Sequence, residues 1–512
     1  MSAEPQPALE MVGQPVQLTG YRAIPARILD RLPGREGAFW VLFALATPKA
    51  LGPIFTIGLR RFLGPGAAGL FDISSVPYKF LDNFRNFGTG PALVFERQVS
   101  RQVANTAWSL NMLFAVVVTL VLELIAHPAA LYYHRPEVEG VVRILAIAYI
   151  FASAGSVHFY LLLRDMDFRA RSIPPLGQVI VAGDLAVVFA IWGFGVGALV
   201  ARELGSVVAG TILLWAVYPY RPKLEFVPRI AWQLFRYGAW VGLGLTVLFL
   251  SQNIDLVVGP HFIKSTSNMG FYSTSWKLAF IAASVFTLVA SSMVFPALSR
   301  LQDDIEALRR TLVKSIRQLG LVMFPAAALL ASVAPVIIVP LLGDKWTQYR
   351  GSFIVLSLLA VYAGNRTMLS IFFEAYKSIG KPWIVPIYNG IKLAVMIPAM
   401  AFGAHYGIVG LASVYIPVQI IELPAALYLA DWVLDVSPLQ VWRAARVPLL
   451  STFAMSAAAI ALEAAMLGFL HLGDLPTLIA CLLLAAVVYL GCLYLLDRTI
   501  VAEGRAVLSR GL

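Results

Sequence analysis

From about residue 38 to residue 496 the chain alternates between apolar stretches of about 20 residues and short polar connections. A helix of that length rises about 30 Å, the thickness of a bilayer's hydrocarbon core. In hydrocarbon a backbone must satisfy its own hydrogen bonds, and a helix does so within one segment. The stretches fall at roughly 38–58, 67–92, 103–127, 141–163, 174–192, 195–218, 236–259, 270–293, 315–340, 352–375, 383–403, 407–430, 447–470 and 474–496. They predict an all-α, polytopic membrane protein with fourteen transmembrane helices. Divided over 512 residues, that leaves about 36 per span with its connection, and no room for a soluble domain. Residues 1–36 lack the apolar core of a cleavable signal. They read as a disordered tail to about Tyr21, then a basic, partly amphipathic entry to the first span.

Composition agrees: 59% of residues are hydrophobic and 13% charged, against about 45–50% and about 25% in soluble proteins. The net charge of +11 alone would also suit a nucleic-acid binder, but the loops explain it differently. The N-terminal tail, the even-numbered loops and the C-terminus, with the span-edge residues Arg236 and Arg317, hold 25 of the 39 Lys and Arg residues. The odd-numbered loops, with the span-edge residue Arg143, hold 7, and 7 more lie inside spans. Basic residues stay in the cytoplasm, so both termini are expected there, and no nucleic acid is implied. Cys481 and Cys492 lie about 16 Å apart along one helix, too far to bond to each other.

The longest cytoplasmic connection runs from Ser299 through Asp303, Asp304, Glu306, Arg309, Arg310, Lys314 and Arg317. It reads as an interfacial helix with an Asp cap and i,i+3/i+4 pairs. A weak repeat is also visible. Arg35-Glu36-Gly37-Ala38 matches Arg236-Tyr237-Gly238-Ala239, and Gly69-Leu70-Phe71 matches Gly270-Phe271-Tyr272, both at an offset of 201. Pro91-Ala92-Leu93 matches Pro296-Ala297-Leu298 at 205. Six spans per repeat make it a parallel one, about an axis along the membrane normal.

Ionisable groups inside spans are costly and usually face a bundle interior or a water-filled cavity. In span 2, Asp72, Ser75, Lys79, Asp82, Asn83 and Asn86 share one helical face, opposite Leu70, Val76, Phe80, Phe84 and Phe87. That stripe reads as a cavity lining, or as a Lys79–Asp82 pair buried between helices. The intramembrane cations are Lys49, Lys79, Arg85, Arg202, Lys277, Arg366 and Lys392. Lys49, Lys79 and Lys392 are expected near the midplane, Arg366 towards the cytoplasm and Lys277 in the outer half. Together they suit an anionic substrate such as a phosphate or diphosphate. Each is equally a structural partner for a carboxylate, and Arg202, beside Glu203, is the weakest candidate.

The embedded carboxylates Asp82, Asp184, Asp255, Glu374 and Glu422 stay open as ion-coupling sites or counter-ions. Asp255 follows Ser251, Gln252 and Asn253, a cluster that suits an ion or could face Lys277. Prolines at 48, 53, 77, 260, 296, 335, 340, 386, 398 and 417 lie in or at the ends of spans and allow bending, a common feature of membrane bundles. The six histidines show no metal-ligand spacing. No phosphate-binding loop or dinucleotide fingerprint is present, so no cofactor or metal is expected.

Several segments resemble a known family. Phe87-Gly88-Thr89-Gly90-Pro91-Ala92-Leu93-Val94 is similar to the end of span 2 in bacterial oligosaccharide flippases of the polysaccharide-transport family. Gln252-Asn253-Ile254-Asp255-Leu256-Val257-Val258-Gly259 resembles the end of that family's span 7. Met269-Gly270-Phe271-Tyr272 and Lys277-Leu278 follow in order. Phe295-Pro296-Ala297-Leu298-Ser299-Arg300-Leu301-Gln302-Asp303-Asp304 is the most specific match. Gly343-Asp344-Lys345-Trp346, Gly380-Lys381-Pro382 and Gly407-Ile408-Val409-Gly410 complete it, so the likeness runs from about residue 40 to about 410.

The resemblance implies the fold of the multidrug/oligosaccharidyl-lipid/polysaccharide exporter superfamily: two six-helix lobes around a central cavity, plus two C-terminal helices. The corresponding division is a tail at 1–36, an N-lobe at 37–223, a C-lobe at 224–435 and the extra helices at 436–512. It also implies a substrate, an undecaprenyl-diphosphate-linked oligosaccharide flipped from the cytoplasmic to the periplasmic leaflet of the bacterial inner membrane. Membrane lipids, a polysaccharide polymerase and export machinery are the partners it suggests. Lys49, Lys79, Arg85, Lys277, Arg366 and Lys392 would then attract the diphosphate. The alternatives are an ion-coupled exporter of small molecules or drugs, and a membrane-embedded polymerase or ligase. The last would need a substantial outer loop bearing catalytic residues, and the outer loops are short.

Overall fold

The computed structural model describes residues 51–82, 89–90, 93, 99–165, 168–289 and 294–497. Lys49 and Arg85, with Asn83 and Asn86 of the span-2 stripe, lie outside the described residues. Within them every regular element is helical. After a helical segment over 51–63 come α1 (Pro65–Asp82), α2 (Arg101–Tyr132), α3 (Glu137–Arg164), α4 (Phe168–Ile191), α5 (Val196–Val217), α6 (Pro228–Phe262) and α7 (Thr266–Val289). Then follow the short α8 (Phe295–Ser299), α9 (Ile305–Ser332), α10 (Ala334–Leu342), a 3-10 segment (Asp344–Ser352), α11 (Phe353–Ser378) and α12 (Ile384–Ala404). The chain closes with α13 (Gly407–Ser413), α14 (Tyr415–Leu434), α15 (Pro438–Gly468) and α16 (Asp474–Leu496).

Ten helical runs are long and apolar enough to cross a membrane: α2 to α5, α9, α11, α12, α13 with α14 as one run, α15 and α16. Helices α1, α6 and α7 occupy three further predicted spans. The protein is thus an all-helical, multi-span membrane protein. Its surface has the inverted character this requires. Leu113, Leu120 and Leu124 on α2, and Leu483, Val487, Leu490 and Leu495 on α16, are exposed, while small residues fill the helix contacts. Lipid tails are as apolar as leucine, so close backbone approach and polar contacts hold such helices together.

The chain forms two compact units: Met1–Leu63 with Leu70–Asn253, and Gly64–Gly69 with Ile254–Leu512. In the first, Val103, Ala107 and Leu110 of α2 pack with Val157 and Leu161 of α3, Leu214 of α5 and Leu234 of α6. Polar rungs stitch the same helices. Thr89 donates to Asn111 at 2.8 Å, Asn111 to Ser156 at 3.0 Å, and the indoles of Trp108 and Trp215 both donate to the Ala154 carbonyl, at 3.2 and 3.0 Å. Each rung satisfies a group that hydrocarbon cannot.

In the second unit, the predicted span at 315–340 is built from two helices, and the expected interfacial helix is not separate from it. Asp304 accepts the Ala307 amide at 2.9 Å, and α9 then runs unbroken from the amphipathic connector to Ser332. The expected pairs form: Glu306 with Arg310 at i,i+4, 3.9 Å apart. Arg309 and Arg317 instead reach Asp435 and Asp497, at 2.8 and 2.7 Å. Pro335, with no amide hydrogen, separates α9 from α10, and Gly343 ends α10 at φ +85°, a left-handed conformation glycine adopts freely. On α16, Thr477, Cys481, Ala485, Tyr489 and Leu493 recur every fourth residue and form its buried stripe. Tyr489 donates to the Leu321 carbonyl of α9 at 2.6 Å. Both cysteines are free.

At the start of α1 and α7, a Cβ on Gly69 would lie 1.9 Å from the Thr266 carbonyl oxygen, and one on Gly270 would lie 1.8 Å from that of Pro65. Backbone therefore meets backbone at two facing glycines, one pair of the repeat. Gly69→Ala and Gly270→Ala are each expected to cost about 1–3 kcal/mol or more, read as a lower melting temperature in detergent. Gly140→Ala, where a Cβ meets nothing within 4 Å, is expected to be neutral or stabilising. Equal melting of all three would contradict the contact. Ser437→Ala removes a capping box closed by Gln440 and is expected to cost about 1 kcal/mol by the same assay.

Candidate functional site

On α1 the polar stripe divides with depth. Asp72 and Ser75 are buried, Asp82 is half-buried and Lys79 is exposed. Asp72 pairs with Arg60 at 2.5 Å, both about 2% exposed. Arg60, between the first two predicted spans, is a buried partner of an intramembrane acid. Arg202 and Glu203 on α5 are half-buried. Phe80, on the expected apolar side of α1, meets Phe249 edge-on at 6.0 Å.

The second unit carries a larger polar cluster, drawn from α6, α7, α11, α12 and α14. Lys392 on α12 donates to Glu422 on α14 at 2.7 Å and to the Tyr362 hydroxyl on α11 at 2.9 Å. The lysine and glutamate side chains are 9% and 7% exposed. The second Glu422 oxygen is buried with no hydrogen-bond partner, while Tyr388 donates to the Glu422 carbonyl at 3.2 Å. The Tyr362 ring packs on Tyr415, centroids 4.0 Å apart. Tyr415 and Tyr272 then donate to Asp255, at 3.1 and 2.7 Å, and the carboxylate also accepts the Leu256 amide at 2.9 Å. Asp255 therefore rests on hydroxyls and an amide rather than on Lys277, which is half-buried elsewhere on α7.

Arg366 on α11 lies 5.2 Å from the Phe280 ring centre, and Phe280 stacks on Trp276 at 4.1 Å. That is a cation–π contact, which leaves the guanidinium's edge donors available to an anion. Immediately before Arg366 on α11, Asn365 donates to Gln419 at 2.8 Å. Glu374 is held by Lys377 of the same helix at 3.0 Å. Asp184 is exposed on α4. Among the described residues no group of His, Cys, Asp and Glu could hold a metal ion.

The structure thus brings Lys392, Glu422, Arg366 and Asp255 into neighbouring contacts through Tyr362, Tyr415 and Phe280. These aromatic and tyrosine intermediaries, with Tyr388, were not singled out from the sequence, and Tyr272 entered only through the repeat and the family motif. A tyrosine at helical spacing carries no signal by itself; the signal here was an ionisable residue one helix away.

A family model described as "Polysaccharide biosynthesis protein" matches residues 59–350. The lipopolysaccharide biosynthesis protein WzxC of Escherichia coli (strain K12) is 24% identical over 392 residues, 76% of this chain and 78% of that protein. The succinoglycan biosynthesis transport protein ExoT of Rhizobium meliloti (strain 1021) is 25% identical over 349 residues, 68% of this chain and 70% of that protein. Among solved structures, the lipid II flippase MurJ in an inward closed conformation superposes with a TM-score of 0.70 over 90% of this chain and 100% of that one, at 13% identity, so the two share a fold. With more than half of its length under the family model, the chain belongs to the polysaccharide biosynthesis protein family.

Proposed function

We propose that this transporter flips undecaprenyl-diphosphate-linked oligosaccharide repeat units from the cytoplasmic to the periplasmic leaflet of the inner membrane, by alternating access, for surface polysaccharide assembly. The family membership carries the reading, together with relatives whose names speak of polysaccharide biosynthesis and transport. It is a transporter and not an enzyme, so a polymerase or ligase is set aside. Both termini lie in the cytoplasm on this reading, as the 25 basic residues on one side require. The segments 37–223 and 224–435 act as the two lobes, and 436–512 adds the last two helices.

Lys49, Lys79, Arg85, Lys277, Arg366 and Lys392 attract the diphosphate. A diphosphate offers several acceptor oxygens, which guanidinium and ammonium groups bind with charge-assisted hydrogen bonds. The hydroxyl-rich sugars cross in water along the polar residues. The polyprenyl chain stays in hydrocarbon, and a cavity of about 650 Å³ lined by Phe324, Ala328, Leu449, Phe453 and Ile460 offers it an apolar seat. Asp82, Asp184, Asp255, Glu374 and Glu422 serve as counter-ions or ion-coupling groups. A polymerase and export machinery are the partners downstream. An ion-coupled drug exporter is the second reading, favoured only by Asp255, a buried acid with no cation beside it among the described residues.

A strain lacking the protein is expected to accumulate lipid-linked repeat units in the cytoplasmic leaflet and lose surface polymer. Sensitivity to cationic drugs with normal polymer would favour the exporter instead. Lys79→Ala is expected to abolish polymer output with the protein still inserted. At Lys392 a single replacement strands Glu422, and breaking a buried pair costs about 3–5 kcal/mol, so the informative variant removes both charges. Lys392→Met with Glu422→Leu is expected to melt near the parent temperature yet export no polymer. Full export from that folded double variant would reduce the pair to a structural one.

A further inference from the structure

Three helices of the first unit border a cavity of about 190 Å³. Ser156, Phe159 and Tyr160 of α3, Gln178 of α4, and Gly210 and Thr211 of α5 are among its lining. Pockets for drug-sized ligands run to about 300–1,000 Å³, so this one suits a single small ring. It lies well within the helices: Gln178 stands about 15 Å along α4 from Phe168. None of the cations assigned to the diphosphate is among its described lining residues.

The polar groups differ in what they have left to offer. Ser156 donates to the Ser153 carbonyl at 2.8 Å and accepts the Asn111 amide at 3.0 Å, so it is committed. Thr211 gives its proton to the Phe151 carbonyl at 2.7 Å and keeps an oxygen that can accept. Gln178 is half-buried and has no hydrogen-bond partner among the described residues. Its amide lies against α5, where a Cβ on Gly210 would come within 1.9 Å of the Gln178 Nε2. Glycine at that position leaves room for the amide, which offers two donors and an acceptor.

An uncharged set of donors and acceptors does not suit an ion: a phosphate asks for donors, an ammonium for acceptors. A sugar hydroxyl both donates and accepts, and two neighbouring hydroxyls can engage the carbonyl and the NH2 of one amide. The aromatic residues complete the match. Phe159 and Tyr160 meet edge-on at 5.3 Å with their planes 80° apart, so they present two differently oriented surfaces. The C–H face of a sugar ring carries a slight positive charge, and an aromatic face is negative.

We propose that this cavity holds one sugar ring of the transported oligosaccharide, with Gln178 selecting among rings by their hydroxyls, an assignment that rests on the transport reading above. The Gln178 amide engages two adjacent hydroxyls, and Thr211 accepts from another. A site built to hydrogen-bond a hydroxyl rejects the ring that lacks it, because the contact is lost while water stays displaced.

The test uses the full chain in a detergent without sugar groups, titrated with methyl glycosides of glucose, galactose, mannose and N-acetylglucosamine and followed by saturation-transfer NMR. At least one is expected to bind, with its ring protons saturated. Gln178→Leu strands no partner among the described residues, so it is expected to melt at the parent temperature and to weaken that glycoside about tenfold. Gly210→Ala, which pushes the amide aside, is expected to weaken it similarly. One monodeoxy analogue of the bound glycoside is expected to lose about tenfold in the parent protein and nothing further in Gln178→Leu. A merely structural glutamine does not produce that coupling. Absence of binding by the whole panel, or undiminished binding by folded Gln178→Leu, overturns the subsite. The transport reading fails by a different result, normal surface polymer from the strain lacking the protein, and glycoside binding in detergent does not depend on it.

Discussion

A charge in hydrocarbon must be neutralised or returned to water, and in this protein that constraint governs how the spanning helices are arranged. An isolated ion transferred to the interior costs several kcal/mol even after relaxation. The described helices meet that cost in three ways. Arg60 with Asp72, and Lys392 with Glu422, are direct pairs at 2.5 and 2.7 Å. Asp255 is dispersed over two tyrosine hydroxyls and an amide. Arg366 lies against an aromatic face. Each solution fixes the rotation of at least two helices about their axes, because a pair forms only when both partners face each other.

Apolar burial cannot supply that specificity here. Exposed leucines on α2 and α16 are already in a good solvent, so turning them inward gains little. What remains is close packing of small residues and the polar rungs. Gly69 on Gly270, Gly364 against Ala327, and the shared acceptor Ala154 for two indoles each permit one register and no other. The proline-marked break in the second unit follows the same logic. A helix freed of one hydrogen bond at Pro335 can stop and restart within the membrane only because neighbouring protein covers Val333 and Ala334, which are 1% and 0% exposed.

Most of this architecture was legible as a one-dimensional signal. Twenty apolar residues are long enough to identify a span without any knowledge of packing. The Asp304 cap and the Glu306–Arg310 pair were also readable, being local. The unbroken run from that connector into α9 was not, because amphipathic and apolar turns differ in composition while their backbones are continuous. Partnership was the least legible property. Lys392 and Glu422 are 30 residues apart and Arg60 and Asp72 are 12 apart, and nothing in the intervening residues records which faces meet. Arg60, between two predicted spans, likewise gives no sign in the sequence of the buried acid it serves. The family was legible through the resemblance alone, since span-end motifs such as Ser299-Arg300-Leu301-Gln302 identify a lineage without touching the chemistry.

The pairing of Lys392 has a consequence for transport of an anion. Its ammonium group carries three donors and gives two of them to Glu422 and Tyr362. A diphosphate that reaches this lysine therefore either shares it or displaces Glu422, whose second oxygen is already without a partner. Displacement leaves an uncompensated carboxylate in a buried position, which is sustainable only if that carboxylate gains a proton or its helix moves towards water. Tyr362 transmits the change, because it touches both the lysine and Tyr415, and Tyr415 ends on Asp255. Arg366 imposes no such penalty: its aromatic partner is neutral and need not be replaced when an anion arrives. On the proposed function the two cations are thus unequal, Arg366 suited to hold the diphosphate and Lys392 to make its arrival felt in the helices that carry Glu422 and Asp255.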